Sequence, residues 1–241
     1  MISGGLHSLS DRSVDNVLIY VSDSHRYDYL PDTVREMGVS GRAIAASTFT
    51  GSGYPSIMTG TYPSTHRVWN FRDSLADRPR LLRQCGQSGI DATHVWRNVE
   101  PPAKKPPLRI CGEPSETTLS DLESPFVLVV HDRGGHLLYG RSSESERWAS
   151  LQDFFQDLAG RPDEIDRLYR DGIAESVEHF QELVDTLKTQ SKFKNTLVVF
   201  TSDHGELLGE YGGLYGHGAP LVPELLDVPL VFTGAGLPRN E

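Results

Sequence analysis

The sequence predicts an α/β protein built on a largely parallel sheet, and three observations carry that expectation. Four short apolar runs, Val17–Val21, Phe126–Val130, Leu197–Phe200 and Val228–Phe232, are each bounded by Pro, Gly, Asp or Asn. Continuous apolarity of that length suits strands covered on both faces. Between the second and third runs, Ile165, Leu168, Tyr169, Ile173, Val177, Phe180, Val184 and Leu187 keep three- and four-residue steps, the stripe of one long amphipathic helix. The third run leads directly into Asp203-His204-Gly205, so a buried strand delivers a carboxylate and an imidazole at its carboxyl end, where open α/β sheets build their sites.

Taken in order, Val17–Val21 is the first strand and ends at Asp23. Arg42–Ala46 is a weaker strand candidate, followed by the glycine- and hydroxyl-rich stretch Ser47–Gly53. That stretch reads as a loop running into a short helix at Pro55-Ser56-Ile57-Met58, and presents hydroxyls and free backbone N–H groups suited to an anion. Ala92–Trp96 is a second weak strand. Glu100–Pro107 holds four prolines in eight residues and so is a surface loop. Trp148, Leu151, Phe154, Phe155 and Leu158 mark a shorter helix, and the long one starts near Pro162-Asp163. Strands alternating with helices, without internal repeat, predict one α/β domain over residues 1–241.

Composition narrows the function. With 33 Asp plus Glu against 23 Lys plus Arg the net charge is -10, which argues against a nucleic-acid partner. An anionic substrate must then be drawn by a local positive centre such as a metal ion. No stretch approaches the ~18 apolar residues of a membrane span, and the N-terminus lacks a basic segment followed by an apolar one. A cytoplasmic location is expected, with Cys85 and Cys111 as free thiols. Nothing in the sequence signals an oligomeric state.

Parallel strands present their carboxyl ends on one side, which places Asp23 where it can meet Asp203 and His204. Two carboxylates and an imidazole form a mixed donor set compatible with Mn²⁺ or Zn²⁺ and, less well, with Ca²⁺ or Mg²⁺.

Five ordered blocks resemble the sulfatase branch of the alkaline phosphatase superfamily. They are Asn16-Val-Leu-Ile-Tyr-Val-Ser-Asp23 with Arg26 and Asp28; Pro55-Ser56 leading to Thr59-Gly60-Thr-Tyr-Pro63 and His66; Phe126-Val-Leu-Val-Val-His131 with His136 and Tyr139; Asp203-His204-Gly205-Glu206; and Tyr215-Gly-His217-Gly running on to Val228-Pro-Leu230. The resemblance implies a three-layer α/β/α domain and a metal-dependent hydrolase, or transferase, of phosphate, phosphonate or sulfate esters. Its substrate would be a small anionic ester.

In that family the nucleophile lies nine residues before the threonine of the Thr-Gly turn, which points to Thr50. Sulfatases proper carry there a Cys or Ser that becomes formylglycine, within a signature whose arginine is here replaced by Ile57. The resemblance implies a divalent cation on Asp23, Thr50, Asp203 and His204. It makes His217 either a second-metal ligand or the donor to the leaving oxygen, and His136, with His131 less so, a substrate or second-metal contact. Asp132 is an alternative to these last two. Arg26 and Asp28 are expected to pair with each other or to cap the first helix, and His66 to brace the nucleophile loop.

A plain threonine ester must be released by attack on the central atom, so phosphate esters and phosphonates are expected to be cleaved better than sulfate esters. Two alternatives stand beside this reading: a true sulfatase, and an inactive relative that binds an anion or a partner. Family members continue beyond the Val-Pro-Leu strand into a C-terminal subdomain, which is expected to be absent here.

Overall fold

The structure, a computed structural model, describes residues 13–75, 80–97, 116–145 and 147–238. The proline-rich stretch Glu100–Pro107 and Cys111 lie outside the described residues, and Cys85 is a free thiol. The main sheet comprises β1 (Asn16–Ser22), β2 (Val39–Ile44), β3 (Asp91–Arg97), β4 (Phe126–Asp132), β5 (Thr196–Thr201) and β8 (Asp227–Gly234) in the order β2-β8-β5-β1-β4-β3. β3, β4, β1 and β5 pair in parallel, and β8 runs antiparallel to both its neighbours. A two-stranded ribbon, β6 (Leu207–Leu208) with β7 (Tyr215–Gly216), follows the end of β5.

The apolar runs become central strands because both sheet faces are covered. Leu18, Tyr20, Leu128, Val130, Val198 and Phe200 point into one core. There they meet Leu168, Ile173, Phe180, Val184 and Leu187 of the 28-residue helix α4 (Pro162–Thr189), with Phe154 of α3 (Leu151–Asp157) in the same cluster. Val21, Val127 and Val129 point the other way, onto Tyr54 and Met58 of α1 (Thr50–Thr59), with Leu81 and Leu82 of α2 (Leu81–Gln87) at the edge of that cluster. Each such side chain contributes about 1.5–3 kcal/mol when fully buried, so the period-2 alternation of β1 and β4 locks their register between two helical layers.

Two expectations are corrected. The weak strand runs over Val39–Ile44, two to three residues earlier than Arg42–Ala46, and it forms the outer edge of the sheet beside β8. The short helix begins at Thr50, with Pro55 inside it. Glycine and hydroxyl residues have poor helix propensity, which suggested a loop, but here packing overrides propensity. Gly51 lies against Phe49 and Phe71, and Gly53 lies against the Asp203 carbonyl, where any side chain would collide.

Candidate active site

The register of the sheet brings the candidate residues to one level. Val21 pairs with Thr201 of β5 and with His131 of β4, so Asp23 and Asp203 leave adjacent strands two residues further on. The turn after β1 is pinned from α4: the Tyr169 hydroxyl donates to the Ser24 carbonyl at 2.6 Å and accepts from the Arg26 N–H at 3.1 Å. Arg26 pairs with Asp28, as expected, and also with Glu210. Beyond β4, the Gly135 N–H donates to the Asp23 carbonyl at 2.8 Å. Gly134, at φ 54°, passes so near that a Cβ there would lie 2.3 Å from the same oxygen.

Asp23, Thr50, Asp203 and His204 converge. Thr50 Oγ1 lies 3.1 Å from His204 Nε2 and 3.4 Å from Asp23 Oδ2, and His204 Nε2 lies 3.4 Å from Asp23 Oδ1 and 3.7 Å from Asp203 Oδ2. All four residues are buried. His204 Nδ1 is 2.7 Å from the Gly205 carbonyl, which fixes the proton on Nδ1 and leaves the Nε2 lone pair facing the other three. Thr50 is the first residue of α1; the Ser52 and Gly53 N–H groups donate to the Phe49 carbonyl, so those of Thr50 and Gly51 are the ones the helix geometry leaves over, and the dipole favours negative charge there. Asp203 Oδ1 accepts from the His204 N–H, whereas Asp203 Oδ2 is buried without a hydrogen-bond partner among the described residues. An unsatisfied buried carboxylate oxygen costs several kcal/mol on the order-of-magnitude scale of charged-group desolvation, and a divalent cation would remove that cost. The oxygen-rich donor set with one neutral imidazole fits such an ion.

His217 and His136 flank this cluster. The His217 ring stands 4.5 Å from that of His204 and 5.1 Å from that of His136. His217 Nδ1 lies 2.8 Å from Oε2 of the buried Glu206, and Tyr139 donates to the other Glu206 oxygen at 2.8 Å. Burial alone would lower the His217 pKa, but Glu206 and then Asp23 and Asp203 outweigh it and raise it to about 9. His204, Glu206 and His217 bring donor atoms within 4.8 Å of one another, as do Asp23, His131 and Asp203. Burial raises the Asp23 carboxyl, yet the imidazoles of His136, His131 and His204 hold it well below the usual carboxylate range.

The loops are tied together. The Gly218 N–H donates to the Thr48 carbonyl at 2.8 Å, and the Thr48 hydroxyl donates back to the Gly218 carbonyl at 3.0 Å, joining the Thr50 segment to that of His217. His66 Nε2 meets Ser56 Oγ at 2.9 Å and so braces α1 as expected. Asp132 turns away from the cluster to meet His179 of α4 at 2.8 Å, because successive strand residues face opposite sides of the sheet. Glu206, buried behind His217, is the member the sequence reading missed; its place in the Asp203-His204-Gly205-Glu206 block was the available signal.

A family model described as Sulfatase matches residues 8–240. The chain belongs to the sulfatase family. Its mixed α/β fold, with the six-stranded sheet at the centre, is that of alkaline phosphatase-like sulfatases. Over its whole length it is 42% identical to the low-salt glycan biosynthesis sulfotransferase Agl7 of Haloferax volcanii, and it spans 60% of that protein. The phosphonate monoester hydrolase of Agrobacterium radiobacter superposes with a TM-score of 0.68 at 19% identity, covering 92% of this chain and 68% of that one. The periplasmic domain of EptC from Escherichia coli, solved in complex with Zn, superposes with a TM-score of 0.66 at 12% identity, over 92% of this chain and 73% of its own.

Proposed function

We propose that this sulfatase-family chain transfers the phosphoryl or sulfuryl group of an anionic ester through Thr50, to water or to an acceptor hydroxyl. The convergence of Thr50 Oγ1 with Asp23, Asp203 and His204, around a carboxylate oxygen that has no other partner, carries this reading. A divalent cation on Asp23, Asp203 and His204 would supply charge neutralisation and a lowered hydroxyl pKa.

The residues do the rest. Asp23 Oδ2, 3.4 Å from Thr50 Oγ1, is in reach of the hydroxyl proton. Thr50 oxygen then bonds to the phosphorus or sulfur as the bond to the leaving oxygen breaks. His217, kept cationic by Glu206, donates the proton that the leaving oxygen needs. In the second half an acceptor O–H attacks the same central atom and His217 takes its proton; the bond from Thr50 oxygen to that atom breaks, and the proton returns from Asp23 to Thr50 Oγ1. His136 borders the same space from the β4 side. The start of α1 offers the N–H groups of Thr50 and Gly51 to the transferred anion.

With water as acceptor, phosphate and phosphonate esters are favoured, since threonine lacks the second hydroxyl by which formylglycine expels sulfate. A second reading, sulfuryl transfer to a hydroxyl, is supported by the sulfotransferase name of the 42%-identical relative. Aryl sulfates, phosphate mono- and diesters and phosphonate monoesters assayed in parallel, with and without a sugar acceptor and with the metal varied, separate the two. Turnover with none of them, by protein that binds no metal, would instead support an inactive relative.

A further inference from the structure

We infer that His131 Nε2 is a direct ligand of the metal held by Asp23, Asp203 and His204, which makes the site a two-nitrogen site. The inference rests on the metal reading above and adds a residue to it. His131 is fully buried, and its Nε2 lies 3.2 Å from Asp23 Oδ2. Even so, neither ring nitrogen forms an aligned hydrogen bond among the described residues. A buried imidazole whose nitrogens lack aligned hydrogen-bond partners is costly, and a metal ion at Nε2 would remove that cost.

Ligand geometry accounts for the distance. Two donors about 2.1 Å from one ion and separated by 90–109° lie roughly 3.0–3.4 Å apart. His131 to Asp23 Oδ2 at 3.2 Å, Thr50 to the same oxygen at 3.4 Å, His204 to Asp23 Oδ1 at 3.4 Å and Thr50 to His204 at 3.1 Å fall within that interval, and His204 to Asp203 Oδ2 at 3.7 Å lies just outside it. One ring nitrogen of His131 and one carboxylate oxygen each of Asp23 and Asp203 also lie within 4.8 Å of one another.

Packing, rather than a hydrogen bond, sets the ring's direction. Tyr54 of α1 stacks on His131 at 4.6 Å with 9° between planes, and Trp96 of β3 contacts it at 4.5 Å. Tyr54 is itself held by His94 Nε2 at 2.5 Å. Tyr54 follows Thr50 by one helical turn, so one helix both presents the nucleophile and clamps this ring. A second imidazole shifts the site's preference from Ca²⁺ and Mg²⁺ toward Zn²⁺ and other ions that favour nitrogen.

The test counts coordinated imidazoles. Protein labelled with ¹⁵N-histidine is loaded with one equivalent of Co²⁺, and the hyperfine-shifted imidazole N–H signals are recorded. Two signals are expected in the wild type and one in His131→Phe, which keeps a ring in the clamp, or in His131→Asn if the Phe variant does not fold. Zn²⁺ affinity by chelator competition should fall at least about tenfold in the folded variant, with a smaller change for Mg²⁺. One signal in the wild type, or two that persist in a folded variant, overturns the inference while leaving the metal site standing. Failure to bind Co²⁺ at all overturns the metal reading and this inference with it.

Discussion

Gly53→Ala sets helix propensity against steric fit in α1, the helix that begins at Thr50. In an unobstructed helix interior the change stabilises by about 1 kcal/mol. At position 53 the added Cβ would lie 2.6 Å from the Asp203 carbonyl oxygen, which is backbone and cannot rotate aside. Overpacking of this kind costs about 1–3 kcal/mol, and a backbone clash belongs at the upper end. The net expectation is a loss of about 2 kcal/mol, or roughly 4–8 °C in Tm for a chain of this size. Relief requires α1 and the end of β5 to separate, which moves Thr50 away from Asp203. Zn²⁺ affinity should therefore fall at least about tenfold alongside Tm, as it does when groups that position ligands are disturbed. Gly86→Ala is the control, because nothing lies within 4 Å of a Cβ built there in α2. It should raise Tm by up to about 2–4 °C and leave Zn²⁺ affinity alone. Calorimetry with Zn²⁺ titration of both variants decides the matter. If Gly53→Ala is as stable as Gly86→Ala and binds Zn²⁺ like the wild type, the close-approach reasoning is wrong.

Thr50→Ala should lower turnover of the best ester by at least about a thousandfold without changing Tm beyond ~2 °C, whereas Thr50→Ser should retain part of the rate; single-turnover kinetics checks both. Saturating Zn²⁺ at about 100 times its dissociation constant should stabilise by about 2.7 kcal/mol, and a chelator should take that stabilisation away in a thermal melt. Burial lowers the pKa of His94 to about 3 and that of His25 to about 4, from 6.5. The unfolded chain therefore binds more protons below pH 6.5, so their contribution is present above 6.5 and lost as pH falls through the folded values. Urea melts at pH 7.5 and 5.0 should show the loss, and His94→Gln should reduce it. Thr48→Val removes one of the two hydrogen bonds joining the Thr50 and His217 segments. It should slow esters with poor leaving groups more than activated aryl esters, and Thr48→Ser should restore the difference; equal slowing of both classes would place the effect elsewhere.

Strands and the long helix were legible because burial on both faces leaves uninterrupted apolar runs, and the α4 stripe keeps its period for more than twenty residues. Asp23, Asp203 and His204 could be read because each lies within four residues of the end of such a run. Thr50 was reachable only through its offset from Thr59 in the family pattern, since nothing local separates it from Ser47, Thr48 or Ser52. The structure separates them: Ser52 donates to the Val68 carbonyl and Thr48 to that of Gly218, while Thr50 alone of these faces Asp23. The setting of His131 was hidden because it depends on the pairing of β1 with β4 and on rings from α1 and β3, segments distant in sequence. The start of α1 was misplaced because glycines chosen for close approach look, one residue at a time, like loop residues.

β1 lies near the middle of the sheet, and its two partners come much later in the chain: Val17 pairs with Val127 on one side and with Leu197 on the other. At ribosomal rates of about 5–20 residues per second, Asp23 is made roughly 10–40 s before Asp203. During that interval the strand Val-Leu-Ile-Tyr-Val has two open edges, a template for pairing with other chains. The nascent chain then offers a metal ion one carboxylate where the finished fold offers several donors. On the proposed metal reading, loading is tied to the closing of the long loop between Val17 and Leu197, and a cell that made this protein in metal-poor conditions would accumulate it complete in backbone, with the last piece of its stability missing.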